Sequence, residues 1–306
     1  MKVLVTGGTG YLGSAVVRAL TRAGHQAVAF SRGAAGPGAV AGDIRDTRAV
    51  TAAAAGMDAI VHTAALVAVW RKDPSEFDAV NVGGLQSVLA AARAHHVPRI
   101  VYTSSFLALP PAGRPQALTA NHYQRTKVAA RDVARRAAAD GLPIVTLYPG
   151  VVYGPGPATD GNLVGRLMSD QLRGRLPAVV GPEHIWSFAF VDDVADAHAA
   201  AVAHARPERE YSLGGVNAPQ GSIYAFVHEQ RGRPVPPRIP YGLATAGALA
   251  CEGLTALTGR PPLLTRGIVE IFRHDWPLES SAAARDLGLR TTPLTDGLGR
   301  ALAALP

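Results

Sequence analysis

Along its first half the chain alternates two patterns. KVLVTGG, HQAVAFS, AIVHTAA, RIVYTSS and PIVTLYP are short β-branched apolar runs that close on small or polar residues, and each predicts a strand. Between them, SAVVRALTRAG, DTRAVTAAAAG, NVGGLQSVLAAARAHH and YQRTKVAARDVARRAAADG carry helical spacing and stop at Gly or His. Strands alternating with helices imply βαβ units and a parallel sheet covered on both faces. The predicted fold is therefore α/β, a doubly wound parallel (Rossmann) sheet. Right-handed crossovers put the C-terminal ends of its strands along one edge, where such sheets bind ligands.

The texture changes after Tyr148. Residues 149–186 are rich in Pro and Gly around one helical segment, NLVGRLMSDQLRG. FVDDVADAHAAAVAHA predicts a strand end and a further core helix, and EYSLGG one more strand. Residues 217–306 are Pro-punctuated and helical, without a strong parallel-strand pattern. This organisation predicts a dinucleotide-binding core over residues 1–153 plus about 187–216. A smaller, mostly helical substrate lobe would take about 154–186 and 217–306. The long apolar stretch YGLATAGALACEGLTALTG, 241–259, is broken by Glu252 and several Gly and Thr. It falls short of a membrane span and reads as a buried or interface helix.

Composition narrows the function classes. The formal charge of +7 comes almost wholly from arginine, the only lysines being Lys2, Lys72 and Lys127. So much Arg, Ala and Gly fits a GC-rich bacterial coding bias. The basic residues are scattered, which argues against nucleic acid and favours small anionic ligands. Cys251 is the single cysteine, so no intrachain disulfide forms, in keeping with a reducing cytoplasm. Met1 runs straight into KVLVTGG without the parts of a signal peptide. The histidines show no metal-ligand spacing, and no metal is expected.

TGGTGYLG, 6–13, follows the first strand and opens the first helix. Gly7 and Gly10 permit a tight turn and close approach to a pyrophosphate, and Gly13 permits close helix–strand packing. The N-terminus of the helix behind this loop favours negative charge. The second strand ends in Ser31 and Arg32, where NAD sites usually carry Asp or Glu. Arginine pairs with a 2′-phosphate where a carboxylate would repel it, so NADP(H) is favoured over NAD(H); a surface arginine is the alternative. Asp43, with Ile44 beside it in GDIRD, either accepts from the adenine amino group or caps a helix.

RIVYTSS ends a strand in hydroxyls; eighteen residues after Ser105 comes Tyr123, and Lys127 lies one helical turn further on. Hydride transfer to a ketone leaves an alkoxide that must be protonated as it forms. Tyrosine, with a pKa of about 10, needs a nearby cation to act near neutrality, and a serine hydroxyl can fix the substrate oxygen. By spacing alone Tyr123–Lys127 is equally an ordinary turn of an amphipathic helix.

Taken together these motifs resemble the extended branch of the short-chain dehydrogenase/reductase superfamily, whose members include NAD(P)-dependent epimerases and dehydratases. TGGTGYLG resembles its cofactor loop, VHTAA its fourth-strand motif, and YTSS with YQRTK its Ser–Tyr–Lys arrangement. YPGVVYGPG is similar to the branch's RPxxxYGP segment, with Tyr148 where Arg is usual. TGRPPLLTRGIVEIFRHDW and SSAAARDLGLRTTPLTDGL are nearest the dihydroflavonol 4-reductase-like group, which includes hopanoid-associated relatives. The resemblance covers nearly the whole chain. It implies Tyr123 as acid–base residue, Lys127 as its activator and ribose ligand, and Ser105 as the carbonyl-orienting hydroxyl. It further implies Thr9, Tyr11 and Leu12 with the glycines at the pyrophosphate, Ala64, Ala65 and Thr103 along the cofactor, Pro149 and Val152 beside the nicotinamide, and a homodimer. Asn81 matches a family asparagine, with helix packing as its other reading. The segment SSFLALPPAGRP departs from the family's SSxxxYG, so substrate preference does not carry over. Phe106, Trp70 and Trp186 are candidate apolar pocket walls, with core or interface packing as their other reading.

Three functions compete. The first is an NADPH-dependent ketoreductase acting on an apolar, polycyclic or aromatic carbonyl compound. The second is an NAD-dependent sugar-nucleotide epimerase or dehydratase. The third is a non-catalytic NADP sensor.

Overall fold

The computed structural model describes residues 1–206 and 209–305. Seven parallel strands form the main sheet: β1 (Lys2–Thr6), β2 (Gln26–Ser31), β3 (Ala39–Ala41), β4 (Ala59–His62), β5 (Ile100–Thr103), β6 (Ile144–Pro149) and β9 (Glu210–Leu213). Their spatial order is β3-β2-β1-β4-β5-β6-β9, which reverses direction between β1 and β4. The glycine loop leaves β1 at that reversal, the crevice where open α/β sheets take ligands.

Strand parity sorts the apolar residues into two cores. Val3, Val5, Val61, Val101 and Val145 face one side, against Val16 and Leu20 of α1 (Tyr11–Arg22) and Val194 of α7 (Val191–His204). Leu4, Ile60, Ile100 and Tyr102 face the other. There they meet Val50 of α2 (Thr47–Ala54), Leu85 and Val88 of α4 (Gly84–Ala94) and Ala130 of α5 (His122–Ala139). Each such side chain stabilises the fold by about 1.5–3 kcal/mol. Adjacent strand residues thereby hold helices on opposite faces, as near-continuous apolar runs require.

A second sheet, β10-β8-β7, extends the picture drawn from the sequence. It joins β7 (Val151–Tyr153), β8 (Ile185–Phe190) and β10 (Val216–Pro219), with β8 parallel to β7 and antiparallel to β10. β7 follows β6 after the single residue Gly150, so the chain passes from one sheet to the other in one step. Around this sheet lie α6 (Leu163–Leu172), α8 (Ser222–Arg231) and α12 (Leu294–Ala303), sharing a core that contains Trp186, Phe188 and Trp276. α9 (Tyr241–Thr258) and α10 (Arg266–Phe272) form a smaller apolar cluster with Val180, and α11 (Ser281–Leu287) returns to the main core. A short α3 (Ser75–Asp78) runs through one π turn, Ala79–Gly83, into α4.

Candidate active site

The glycine loop lies flush against its neighbours. Gly7 has φ +73°, and a Cβ there would stand 2.8 Å from the Ala64 backbone nitrogen. At Gly13 it would meet the Gly7 carbonyl oxygen at 2.1 Å. Gly10 is the N-cap of α1 and offers no side-chain cap, and the first turn holds no acidic residue. The N–H groups of Tyr11, Leu12 and Gly13 therefore open α1 with its positive dipole end unopposed. Thr9 Oγ1 and Ser31 Oγ, 2.8 Å apart, tie the loop to the end of β2. An uncapped N-terminus beside glycines that tolerate no side chain fits the pyrophosphate of a dinucleotide.

Beyond Ser31, Arg32 is exposed and forms no ion pair among the described residues. Asp43 is gripped by Arg45, through Nη2 at 2.6 Å and Nε at 3.0 and 3.1 Å. That hydrogen bonding lowers its pKa to about 2, and the nearby Arg32 guanidinium pulls the same way. The helix-capping reading of Asp43 is corrected: the cap of α2 is Asp46, which accepts from the backbone N–H groups of Arg48 and Ala49. Ile44 is buried against Gly84. Ala64 and Ala65 follow the end of β4 and are half-buried. Pro149 ends β6 and is buried, while Val152 in β7 packs partly buried against the main core.

Ser105, Tyr123 and Lys127 come together at the C-terminal end of β5. Ser105 accepts from the Leu107 N–H at 3.2 Å and opens a single 3₁₀ turn over Phe106–Ala108. Asn121 caps α5 by accepting from the Gln124 N–H, so Tyr123 lies in its first turn and Lys127 one turn further along. Lys127 is 3 % exposed and donates to the Thr103 carbonyl at 3.3 Å. Its Nζ lies 5.9 Å from the ring centroids of both Tyr102 and Tyr123.

Burial dominates the electrostatics. Loss of hydration pushes the Tyr123 phenol up to about 12, against a lowering by the Ser105 hydroxyl. This reverses the expectation that Lys127 holds the phenol below its ordinary value. The ammonium sits over the ring rather than at the oxygen, so desolvation of the phenolate outweighs it. Burial also lowers Lys127 itself to about 8. His62, lowered to about 3 by burial and then by the Lys127 charge, stacks on Tyr102 and hydrogen-bonds Thr6 at 2.7 Å. His198 is lowered to about 4 by burial. Neither imidazole carries a second positive charge near neutrality.

His198 had no role in the sequence reading, although FVDDVADAH contains it. Its Nδ1 faces the Val194 carbonyl at 2.7 Å and must donate, so Nε2 accepts from the Thr103 hydroxyl at 2.8 Å. Thr103 thus turns its hydroxyl to α7 and its carbonyl to Lys127. Asn81, in the π turn, accepts from the Leu66 N–H at 2.7 Å and donates to Thr126 at 3.0 Å, clamping the loop after β4 to α5. Tyr148, in the position where the family usually has Arg, donates to Glu210, which also binds Arg135 through two nitrogens.

The altered loop is held on several sides. Gln124 donates to the Leu107 carbonyl, Arg131 to that of Ala108, and the Ala112 N–H reaches the Asp275 carbonyl. Phe106 meets Trp276 edge-on at 5.5 Å, and Tyr123, Leu118 and Ala120 pack on the same apolar cluster. Trp276 was not singled out from the sequence, where HDW lies far from every site motif. Of its two readings Trp186 takes core packing rather than a pocket wall: it is 1 % exposed and packs against Phe272 inside the second core. Trp70 is half-buried.

Comparison with known proteins gives the family and the fold. The model of the NAD dependent epimerase/dehydratase family matches residues 3–214. A 2-alkyl-3-oxoalkanoate reductase of Stenotrophomonas maltophilia is 32% identical over 98% of this chain and 98% of its own. Sterol demethylase protein B of Methylococcus capsulatus is 30% identical over 95% of this chain and 94% of its own. The crystal structure of gox2253 superposes with a TM-score of 0.82 at 27% identity, covering 99% of this chain and 97% of that one.

Two outcomes follow from these contacts. Gly13→Ala should abolish dinucleotide binding, measured by fluorescence titration, because its Cβ would stand 2.1 Å from the Gly7 oxygen. The depressed Lys127 pKa makes a separate prediction for the cofactor-free protein. Between about 8 and the ordinary 10.5 the unfolded chain binds more protons at this site, so stability rises with pH there. Below about 8 the buried ammonium costs on the order of 3 kcal/mol. Lys127→Met should therefore melt higher than wild type at neutral pH, with the difference vanishing towards pH 10.5 in paired thermal scans.

Proposed function

The chain belongs to the NAD dependent epimerase/dehydratase family and is an NAD(P)-dependent oxidoreductase, and we propose that it reduces the carbonyl of an apolar small molecule with NADPH. The observation that carries this reading is the Tyr123 phenol, which has the Ser105 hydroxyl beside it and the Lys127 ammonium over its ring. All three share a sheet edge with the glycine loop. On this reading residues 1–153 and about 187–216 bind the dinucleotide, and the remaining segments shape the substrate pocket.

Gly7, Gly10 and Gly13, with the N–H groups of Tyr11 and Leu12, would hold the pyrophosphate. Arg32 would pair with the 2′-phosphate, and Thr9 and Ser31 would fix the turn between them. A dinucleotide held there would supply the hydride for the reduction. Ser105 donates to the carbonyl oxygen and orients it, and Tyr123 gives that oxygen its proton as alkoxide charge develops. A phenol raised to about 12 keeps its proton at neutral pH, as an acid for reduction must. Lys127 then stabilises the phenolate that remains, which solvent reprotonates. The apolar wall of Phe106, Leu118 and Trp276 beside Tyr123 supports an apolar substrate, as do relatives named for an alkyl-oxoalkanoate and for a sterol.

Tyr123→Phe should lower kcat for carbonyl-dependent NADPH oxidation at least about 100-fold while NADPH still binds; equal turnover would remove Tyr123 as the acid. Arg32→Asp should weaken NADPH by about 10- to 100-fold and leave NADH nearly unchanged. A parallel loss for both cofactors would overturn the phosphate contact.

A further inference from the structure

The apolar stretch at 241–259 has no part in the chemistry above, and it is not buried. In α9, every exposed position from 241 to 257 is Gly, Ala or Leu. Leu243, Leu249, Leu254 and Leu257 are 66%, 49%, 61% and 87% exposed, and Leu263 in the following loop is 95% exposed. Only Ala244 and Ala248 of the helix are fully buried. Its single charged residue, Glu252, is directed to α10, where its carboxylate accepts from the Arg266 backbone at 2.8 Å and guanidinium at 2.7 Å. A helix facing water carries polar residues on that side, and an apolar face of this extent marks a docking surface.

Its shape and charge indicate the occupant. Eighteen residues make a stripe about 27 Å long and about 10 Å wide, short of the roughly 800 Å² per partner of a stable protein interface. A bilayer sets no such threshold and needs no matching contour. The two most exposed leucines, Leu257 and Leu263, flank Pro261 and Pro262 at the helix's C-terminal end. Between Leu257 and Leu263 stands Arg260, exposed and without an ion pair among the described residues. The chain carries a net charge of +7, which complements an anionic surface. No described helix is long and apolar enough to cross a membrane, so the segment would lie on one.

We propose that α9 and the Arg260–Leu263 tip dock this protein on an anionic phospholipid bilayer. Leu254, Leu257 and Leu263 enter the acyl region, and Arg260 meets the headgroup phosphates. α9 packs on α10, and a Cβ at Gly267 of α10 would stand 2.4 Å from the Ala120 carbonyl oxygen, just before the helix that carries Tyr123. On the reductase reading, docking brings the active-site mouth close to a membrane-dissolved carbonyl. The docking itself stands apart from that reading and is measured without substrate.

The test is co-sedimentation of the full chain with phosphatidylglycerol-rich vesicles and with phosphatidylcholine vesicles, beside size measurement in lipid-free buffer. Wild type should pellet with the anionic vesicles and bind the neutral ones at least about tenfold more weakly. The triple variant L254S/L257S/L263S should lose about 100-fold or more in vesicle affinity, keeping its circular dichroism and NADPH binding. R260E should lose the anionic preference alone, which keeps the proposal testable if the triple variant misfolds. Wild type left in the supernatant of both vesicles would overturn the proposal. So would a lipid-free dimer that the triple variant converts to monomer, since α9 would then be a contact between copies.

Discussion

An ammonium group carried almost wholly out of water is the constraint around which this site is arranged. Lys127 has three N–H donors and makes one hydrogen bond, to the Thr103 carbonyl, with two aromatic rings as its other neighbours. Among the described residues no carboxylate pairs with it, and the His62 and His198 imidazoles are held neutral by burial. Such a group is tolerated only because the surrounding structure over-determines its position. On the proposed function its unmet donors would serve a sugar hydroxyl or a phenolate oxygen beside it, with hydrogen-bonding capacity already in place.

The elements that hold Lys127 also hold one another. Thr103 joins β5 to α7 through His198 and to α5 through Lys127, so one residue connects helices on opposite faces of the sheet. Asn81 does similar work one layer out, bonding both the loop after β4 and α5 from a π turn. A π turn widens the helix by one residue, and such insertions recur at functional sites. Here it lets an asparagine reach a loop that a regular helix would pass by.

Much of this was legible in the sequence because the constraints are local. The strand runs, the glycine loop and the spacing from Ser105 to Lys127 each depend on residues close in sequence, and the sheet order then brings them to one edge. What was not legible depends on distant partners. Nothing near His198 announces Thr103, and nothing near Trp276 announces Phe106. The sign of the Tyr123 shift was misread for the same reason: spacing gives the cation's distance along the helix, but burial depends on the whole fold. β10 escaped because Val216–Pro219 is short, half-exposed and completed by β8, nearly thirty residues away.

Gly150 and the strand pairing that follows it have a consequence for how the molecule forms. β6 and its neighbour β9 are separated in the chain by the whole excursion through β7, α6, β8 and α7. Pairing the last strand of the main sheet therefore closes a loop that contains two strands of the second sheet, and that loop must close before the pairing repays its entropy. The two sheets are not independent modules joined by a tether. Damage to the smaller one, even far from any ligand, would be felt as slow or incomplete closure of the larger.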